Sequence, residues 1–214
     1  MEVLLATKRS YLAVVPLWST QYLLDSDIAN YWGLPLYRRP LIMMRGSLVE
    51  QTRDVGFFSD ESEGYTYSGR LMPSQPLIPS TSTLLNTVNW YLGTSFNGIL
   101  ANLYMDGLDK IGAHSDNEAG LDQQRKCVAS IAFGATRTFR IRYLNSCPTD
   151  LVVNNSVDRR SFDSTMVADI PHYQGMLMVM AGEFQSEFTH EIPGVAVSKV
   201  STPRLSLTFR QHTK

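Results

Sequence analysis

Pro203-Arg204-Leu205-Ser206-Leu207-Thr208-Phe209-Arg210 alternates apolar and polar side chains without a break. Side chains of an extended chain leave alternate faces, so Leu205, Leu207 and Phe209 share one face and Arg204, Ser206, Thr208 and Arg210 the other. Such a strand is either half exposed, with two surface arginines, or directs both guanidinium groups inward. In the second case burial is costly without anionic partners, and a bound dicarboxylate is a natural one.

Upstream, β-favouring stretches recur at residues 98–104, 128–133, 138–143, 165–170 and 176–180, separated by turn-forming residues. Before them the periodicity is helical at 22–31, where Gly33 and Pro35 supply a stop, and at 84–92, where Gly93 does. Residues 41–55 read as irregular and 57–64 as a loop opened by two phenylalanines, whereas 65–69 is a short strand. Prolines and serines between Met72 and Ser82 mark a connection. These elements predict an α+β, mainly β chain, a sandwich or jelly roll braced by helices of the N-terminal half.

The 214 residues suffice for one domain with a full core. We expect residues 1–60 to form an N-terminal segment leading into a lid, and 61–214 to form the core. Hydrophobic residues make up 43% and charged ones 18%, and no apolar run approaches the roughly 20 residues that cross a bilayer, so a soluble protein with no membrane partner is expected. The first residues make a poor secretory signal, and two cysteines are too few for a disulfide framework. Both point to an intracellular protein, nuclear or cytoplasmic, expected to be a monomer. A net charge of −1 gives no global sign of a polyanion partner, so any such contact is local.

His114-Ser115-Asp116 sets an imidazole and a carboxylate two residues apart, on one face of an extended stretch. Taken alone, a His-x-Asp occurs often by chance. A second histidine would complete the two-histidine, one-carboxylate facial triad of non-haem iron oxygenases, with three positions left open. His172 follows Pro171 in an expected turn and His212 lies near the end of the chain, so His190, in Phe188-Thr189-His190-Glu191-Ile192-Pro193, is the better third ligand.

Taken together and in order, these motifs resemble the AlkB family of nucleic-acid dealkylating dioxygenases from about Tyr65 to Arg210. Asn102-Leu103-Tyr104 leads into the His114-Ser115-Asp116 segment as the family's Asn-x-Tyr strand does. Residues 130–139 resemble its next two strands, and 175–180, Thr189-His190, then Arg204 and Arg210 in Arg-x5-Arg spacing complete the pattern. The resemblance implies a double-stranded β-helix core that uses Fe(II), 2-oxoglutarate and O2. Asn102 and Tyr104 would then hydrogen-bond 2-oxoglutarate, Arg204 would pair with its distal carboxylate, and Arg210 would lie beside the metal end. Ser206 departs from the family, which commonly has asparagine there, so a minor polar contact changes.

The resemblance further implies oxidative demethylation of alkylated bases, such as N1-methyladenine or N3-methylcytosine, in DNA or RNA, with release of succinate and formaldehyde. Tyr65, Tyr67 and Ser68 would belong to a lid over the damaged base, with Tyr67 stacked on it and Glu118 facing its edge. Arg137, Arg140 and Arg142, with Arg125 and Lys126 upstream, form the densest basic cluster and are expected near phosphates. Val55-Gly56-Phe57-Phe58 is read as a wedge, because a base inside a duplex must be flipped out to reach a buried metal. The alternatives are an oxygenase of this type acting on protein or lipid, and an inactive nucleic-acid-binding homologue.

Overall fold

In the computed structural model, residues 1–44, 46–117, 121, 126–158 and 164–213 are described. The chain opens with β1 (Glu2–Ala6) and β2 (Ser10–Val15), followed by two short helices, α1 (Trp18–Tyr22) and α2 (Asp25–Tyr31). Two hairpin strands, β3 (Leu41–Met44) and β4 (Ser47–Glu50), precede β5 (Asp54–Phe58). A second hairpin pairs β6 (Gly64–Tyr67) with β7 (Arg70–Pro73), and α3 (Pro79–Leu92) leads to β8 (Gly98–Tyr104) and β9 (Ile111–His114). Then come β10 (Cys127–Gly134), β11 (Arg137–Tyr143), β12 (Val152–Val153), β13 (Met166–His172) and β14 (Leu177–Gly182). The one-turn α4 (Phe184–Glu187), β15 (Phe188–Ile192) and β16 (Arg204–Arg210) complete the chain.

The strands form an eight-stranded sheet in the order β12-β1-β2-β14-β10-β16-β8-β5 and a four-stranded sheet in the order β13-β11-β15-β9. Every strand pair is antiparallel, as a jelly roll requires. Both faces of the large sheet are covered. Leu205, Leu207 and Phe209 of β16 join Ile131 and Val179 on one face, against Trp18, Tyr31, Leu84 and Val88 of the three larger helices. On the other face Val128, Met178 and Met180 meet Phe139, Ile141, Val167 and Phe188 of the small sheet. β16 is buried along its whole length, so the reading with surface arginines is excluded and Arg204 and Arg210 lie inside the sandwich.

The helical and strand-rich regions read from the sequence are present; β9, β12 and β15 are not among them, and three further differences stand out. The predicted 22–31 helix is two helices, broken where Leu23 turns extended at φ −125°. Residues 41–55 are a hairpin plus the start of β5, not irregular chain. Most of that hairpin faces solvent, so burial imposes no alternation on its sequence, and alternation is what reveals a strand. Thirdly, β1 and β2 extend the main sheet beside β14, so strands are not confined to the C-terminal half. The proposed wedge is corrected as well: Val55, Phe57 and Phe58 are buried on β5, with Phe57 stacked between Tyr65 and His212.

The β10–β11 turn limits what the sheet tolerates. Gly134 has φ +82°, and a Cβ there would sit 2.3 Å from the carbonyl oxygen of Pro203, the residue just before Arg204. Replacing Leu207, fully buried between sheet and helices, with alanine should cost about 2–5 kcal/mol in chemical denaturation. A loss below about 1 kcal/mol would show that this face is not tightly packed.

Candidate metal centre

His114 is the last residue of β9, and its register partner on β15 is His190, so strand pairing alone brings the two imidazoles side by side. Their ring centroids are 4.3 Å apart. Asp116, two residues beyond His114, turns its carboxylate between them: Oδ1 lies 3.6 Å from Nε2 of His114 and Oδ2 lies 3.5 Å from Nε2 of His190. The three donor atoms lie within 4.8 Å of one another, and no other group of three or more such residues is found among the described residues. Two nitrogens and one carboxylate oxygen on one side of a point fit non-haem Fe(II), with the remaining positions open.

Each ligand is held from behind. The Nδ1 of His114 lies 2.9 Å from the Gly112 carbonyl, which can only accept, so Nδ1 carries a proton and Nε2 is the nitrogen turned toward Asp116. Phe139 stacks on His190 at 5.0 Å and 15°. The backbone N–H of Asp116 donates to Gln185 Oε1 at 2.9 Å, and the Ser115 hydroxyl donates to the Phe188 carbonyl at 2.9 Å. Arg210 donates to Asp116 Oδ1 at 2.8 Å. Burial alone would raise the Asp116 pKa, but the Arg210 charge and the two histidines outweigh it and hold the carboxyl well below its usual range. Burial, helped by the neighbouring His114, lowers the His190 pKa and favours the neutral imidazole a metal needs.

Deeper along β16 the other arginine differs. Arg204 is 2% exposed, and among the described residues its Nε and Nη1 have no hydrogen-bond partner. Its Nη2 lies 3.1 Å from Nδ1 of His172, and its guanidinium carbon lies 5.3 Å from the centre of the Tyr104 ring. Burial pulls its pKa down to about 10; Tyr104 opposes this and the nearby Arg137 charge adds to it. Tyr104 and Asn102 on β8 are the register partners of Arg204 and Ser206, so all four line one pocket with the three metal-ligand candidates. Asn102 Oδ1 accepts from Arg53 Nε at 2.7 Å, a contact nothing in the sequence around Arg53 signals. A buried guanidinium without a carboxylate, beside a metal site, fits a small dicarboxylate.

On the outer side lies a cavity of about 200 Å³, lined by Tyr37, Gln51, Arg53, Tyr65, Tyr67 and Arg70 among others. Tyr65 and Tyr67 stack at 6.0 Å and 13°, Tyr67 meets His114 edge-on at 6.5 Å, and the Arg210 guanidinium lies 4.8 Å over Tyr65. Ser68 is exposed at the tip of the β6–β7 hairpin, where Ser68 and Gly69 have φ +48° and +73°, and it does not line the cavity. Glu118 and Arg125 lie outside the described residues.

The expected basic surface is corrected. Arg137 is buried, and its guanidinium donates to the carbonyls of Asp106, Gly107, Asp109 and Pro193 at 2.8–3.3 Å, so it ties loops together and is not turned toward phosphates. Arg140 pairs with Asp169 at 2.7 Å, Arg142 with Glu191 at 3.0 Å and Lys126 with Glu183 at 2.8 Å. A run of basic residues on a strand reads the same whether its partners are phosphates or distant carboxylates.

Comparison with known proteins agrees with this geometry. The family model of the 2OG-Fe(II) oxygenase superfamily matches residues 20–210. The chain belongs to the 2OG-Fe(II) oxygenase superfamily. Among its relatives are the human DNA oxidative demethylase ALKBH2, 33% identical over 72% of this chain and 54% of that one, and human alpha-ketoglutarate-dependent dioxygenase alkB homolog 3, 35% identical over 68% and 47%. These relatives support the AlkB resemblance, and the chain spans about half their length. The solved structure of OsALKBH1 shares the fold, with a TM-score of 0.56 over 97% of this chain and 100% of that one, at 16% identity. No helix among the described residues is long and apolar enough to cross a membrane.

Superfamily membership implies Fe(II), 2-oxoglutarate and O2, and the residues of this chain fit the first two: His114, Asp116 and His190 offer the metal donors, and Arg204 offers a charge with no carboxylate partner. Asp116→Ala should therefore abolish stoichiometric Fe(II) binding in anaerobic calorimetry under conditions where circular dichroism shows the variant folded; unchanged binding would place the metal elsewhere. A second expectation concerns acid. Burial, then the Arg204 charge, push the His172 pKa from 6.5 down to about 3, so the unfolded chain takes up this proton first. The stability linked to His172 is whole above pH 6.5 and is lost as pH falls toward 3, at up to about 1.4 kcal/mol per pH unit. Stability measured against pH should slope less steeply in His172→Phe over that window, and equal slopes would contradict the buried neutral imidazole.

Proposed function

We propose that this chain removes methyl groups oxidatively from alkylated bases in DNA or RNA, consuming 2-oxoglutarate and releasing succinate and formaldehyde. The observation that carries the reading is that the outer cavity adjoins the metal pocket: Arg53 and Tyr65 line both. A base held against Tyr65 and Tyr67 thus has its substituent next to His114. Base stacking on an aromatic side chain contributes about 1–3 kcal/mol and tolerates many sequence contexts, as acting on scattered lesions requires. The names of the human relatives, a DNA oxidative demethylase and an alkB homolog, support the same substrate class.

In this reading His114, Asp116 and His190 hold the metal, Arg204, Tyr104 and Asn102 hold the co-substrate, and Ser206 adds a smaller polar contact. Arg210 keeps Asp116 ionised and fixed, and shields it from solvent on the Tyr65 side. When bound, iron(II), 2-oxoglutarate and O2 together supply the oxidising power to hydroxylate an inert N-methyl group, which then leaves as formaldehyde. The chain's own contribution is to present that methyl group and exclude water.

The test is a panel of oligonucleotides carrying N1-methyladenine or N3-methylcytosine, as DNA and RNA, single and double stranded, scored by mass. One methyl group should be lost per lesion, with equimolar succinate, and Tyr67→Ala should reduce turnover about ten-fold or more. Turnover on protein or lipid substrates alone would reject the nucleic-acid reading and leave the oxygenase intact. No succinate under any condition would reject both.

A further inference from the structure

We propose that His172 is a positioning residue for the co-substrate, a neutral hydrogen-bond acceptor that aims Arg204 without cancelling its charge. The inference rests on the reading that Arg204 takes the distal carboxylate of 2-oxoglutarate. His172 is fully buried at the end of β13, and its two ring nitrogens have different neighbours. Nε2 lies 3.1 Å from the carbonyl oxygen of Met176, and Nδ1 lies 3.1 Å from Nη2 of Arg204. A carbonyl only accepts, so the ring proton is on Nε2; a guanidinium only donates, so Nδ1 must present its lone pair. The two contacts together fix one tautomer, and that tautomer is uncharged.

The choice of partner has an electrostatic consequence. Aspartate or glutamate at position 172 would aim the guanidinium equally well, but would satisfy it as an ion pair and weaken its pull on an incoming carboxylate. An imidazole takes one N–H of Nη2 and leaves the positive charge whole. Nε and Nη1 of Arg204 then stay without protein acceptors among the described residues. The edge of His172 against Phe139, at 6.3 Å and 88°, limits ring rotation, and Tyr104 covers the guanidinium face. Arg204 is thus held in place before the diacid arrives, and less ordering is left for the binding step.

The test compares two ligands on the metal-loaded protein under anaerobic conditions by calorimetry: 2-oxoglutarate, and 2-oxobutanoate, which keeps the keto acid but lacks the distal carboxylate. His172→Phe keeps a ring of similar size and removes the acceptor, whereas His172→Asn restores an acceptor near the Nδ1 position. The phenylalanine variant should bind 2-oxoglutarate about ten- to a hundred-fold more weakly and 2-oxobutanoate within about two-fold of wild type, with asparagine in between. A phenylalanine variant that keeps wild-type discrimination, or loses both ligands equally, overturns the role of His172 alone. A wild type that binds the two ligands alike overturns the Arg204 assignment as well. Should the phenylalanine variant not fold, ¹⁵N chemical shifts of the wild-type imidazole decide the matter: an unprotonated Nδ1 with a protonated Nε2 is required, and the opposite tautomer or a doubly protonated ring refutes it.

Discussion

A carboxylate withdrawn from water and kept charged is the constraint on which the rest of the site depends. Asp116 is almost wholly buried, and an isolated carboxylate there would take up a proton, leaving a poor ligand. Arg210 prevents this from 2.8 Å, with the two imidazoles adding their share. Because Arg210 ends an interior strand of the large sheet and the histidines stand on the small one, the ion pair also ties the two layers together beside the candidate metal ligands. Removing either partner would leave a buried charge without compensation, which costs more than the pair itself contributes.

β16 organises this from one element. Its apolar face joins the core under the helices, and its polar face runs from Arg204 through Ser206 and Thr208 to Arg210 beside Asp116, all lining one pocket. The two arginines are six residues apart and equally buried, yet one is paired with the Asp116 carboxylate and the other meets the neutral His172 and the Tyr104 ring. The first charge is matched by a carboxylate, and for the second Nε and Nη1 have no hydrogen-bond partner among the described residues. Pairing with β8 in register brings Asn102 and Tyr104 opposite Ser206 and Arg204, so the pocket follows directly from the ladder.

The parts of this arrangement that were legible in the sequence are those written as periodicity or close spacing. Alternation revealed β16, β-favouring composition between turns revealed β8 and β10, and the His-x-Asp pair with a distant histidine pointed to the candidate metal ligands. β3 and β4 escaped because strands exposed on both faces have no reason to alternate. Arg137 was misplaced because its partners are backbone carbonyls of two separate loops, which leave no mark on side-chain composition. Gln185, which fixes the Asp116 backbone, and Arg53, which fixes Asn102, come from distant segments in the same way. His172 was weighed as a metal ligand, and only the contact with Arg204 gives it a different place.

The central claim is that two imidazoles and one carboxylate converge on a metal while Arg204 receives a diacid. A crystal structure with Mn(II) in place of iron and with 2-oxoglutarate bound, using anomalous scattering to locate the metal, tests it most directly. The account predicts one metal bonded to Nε2 of His114, Nε2 of His190 and a carboxylate oxygen of Asp116, with the distal carboxylate on Nε or Nη1 of Arg204. Metal density away from these three side chains, or a diacid that leaves Arg204 without a carboxylate, would contradict it.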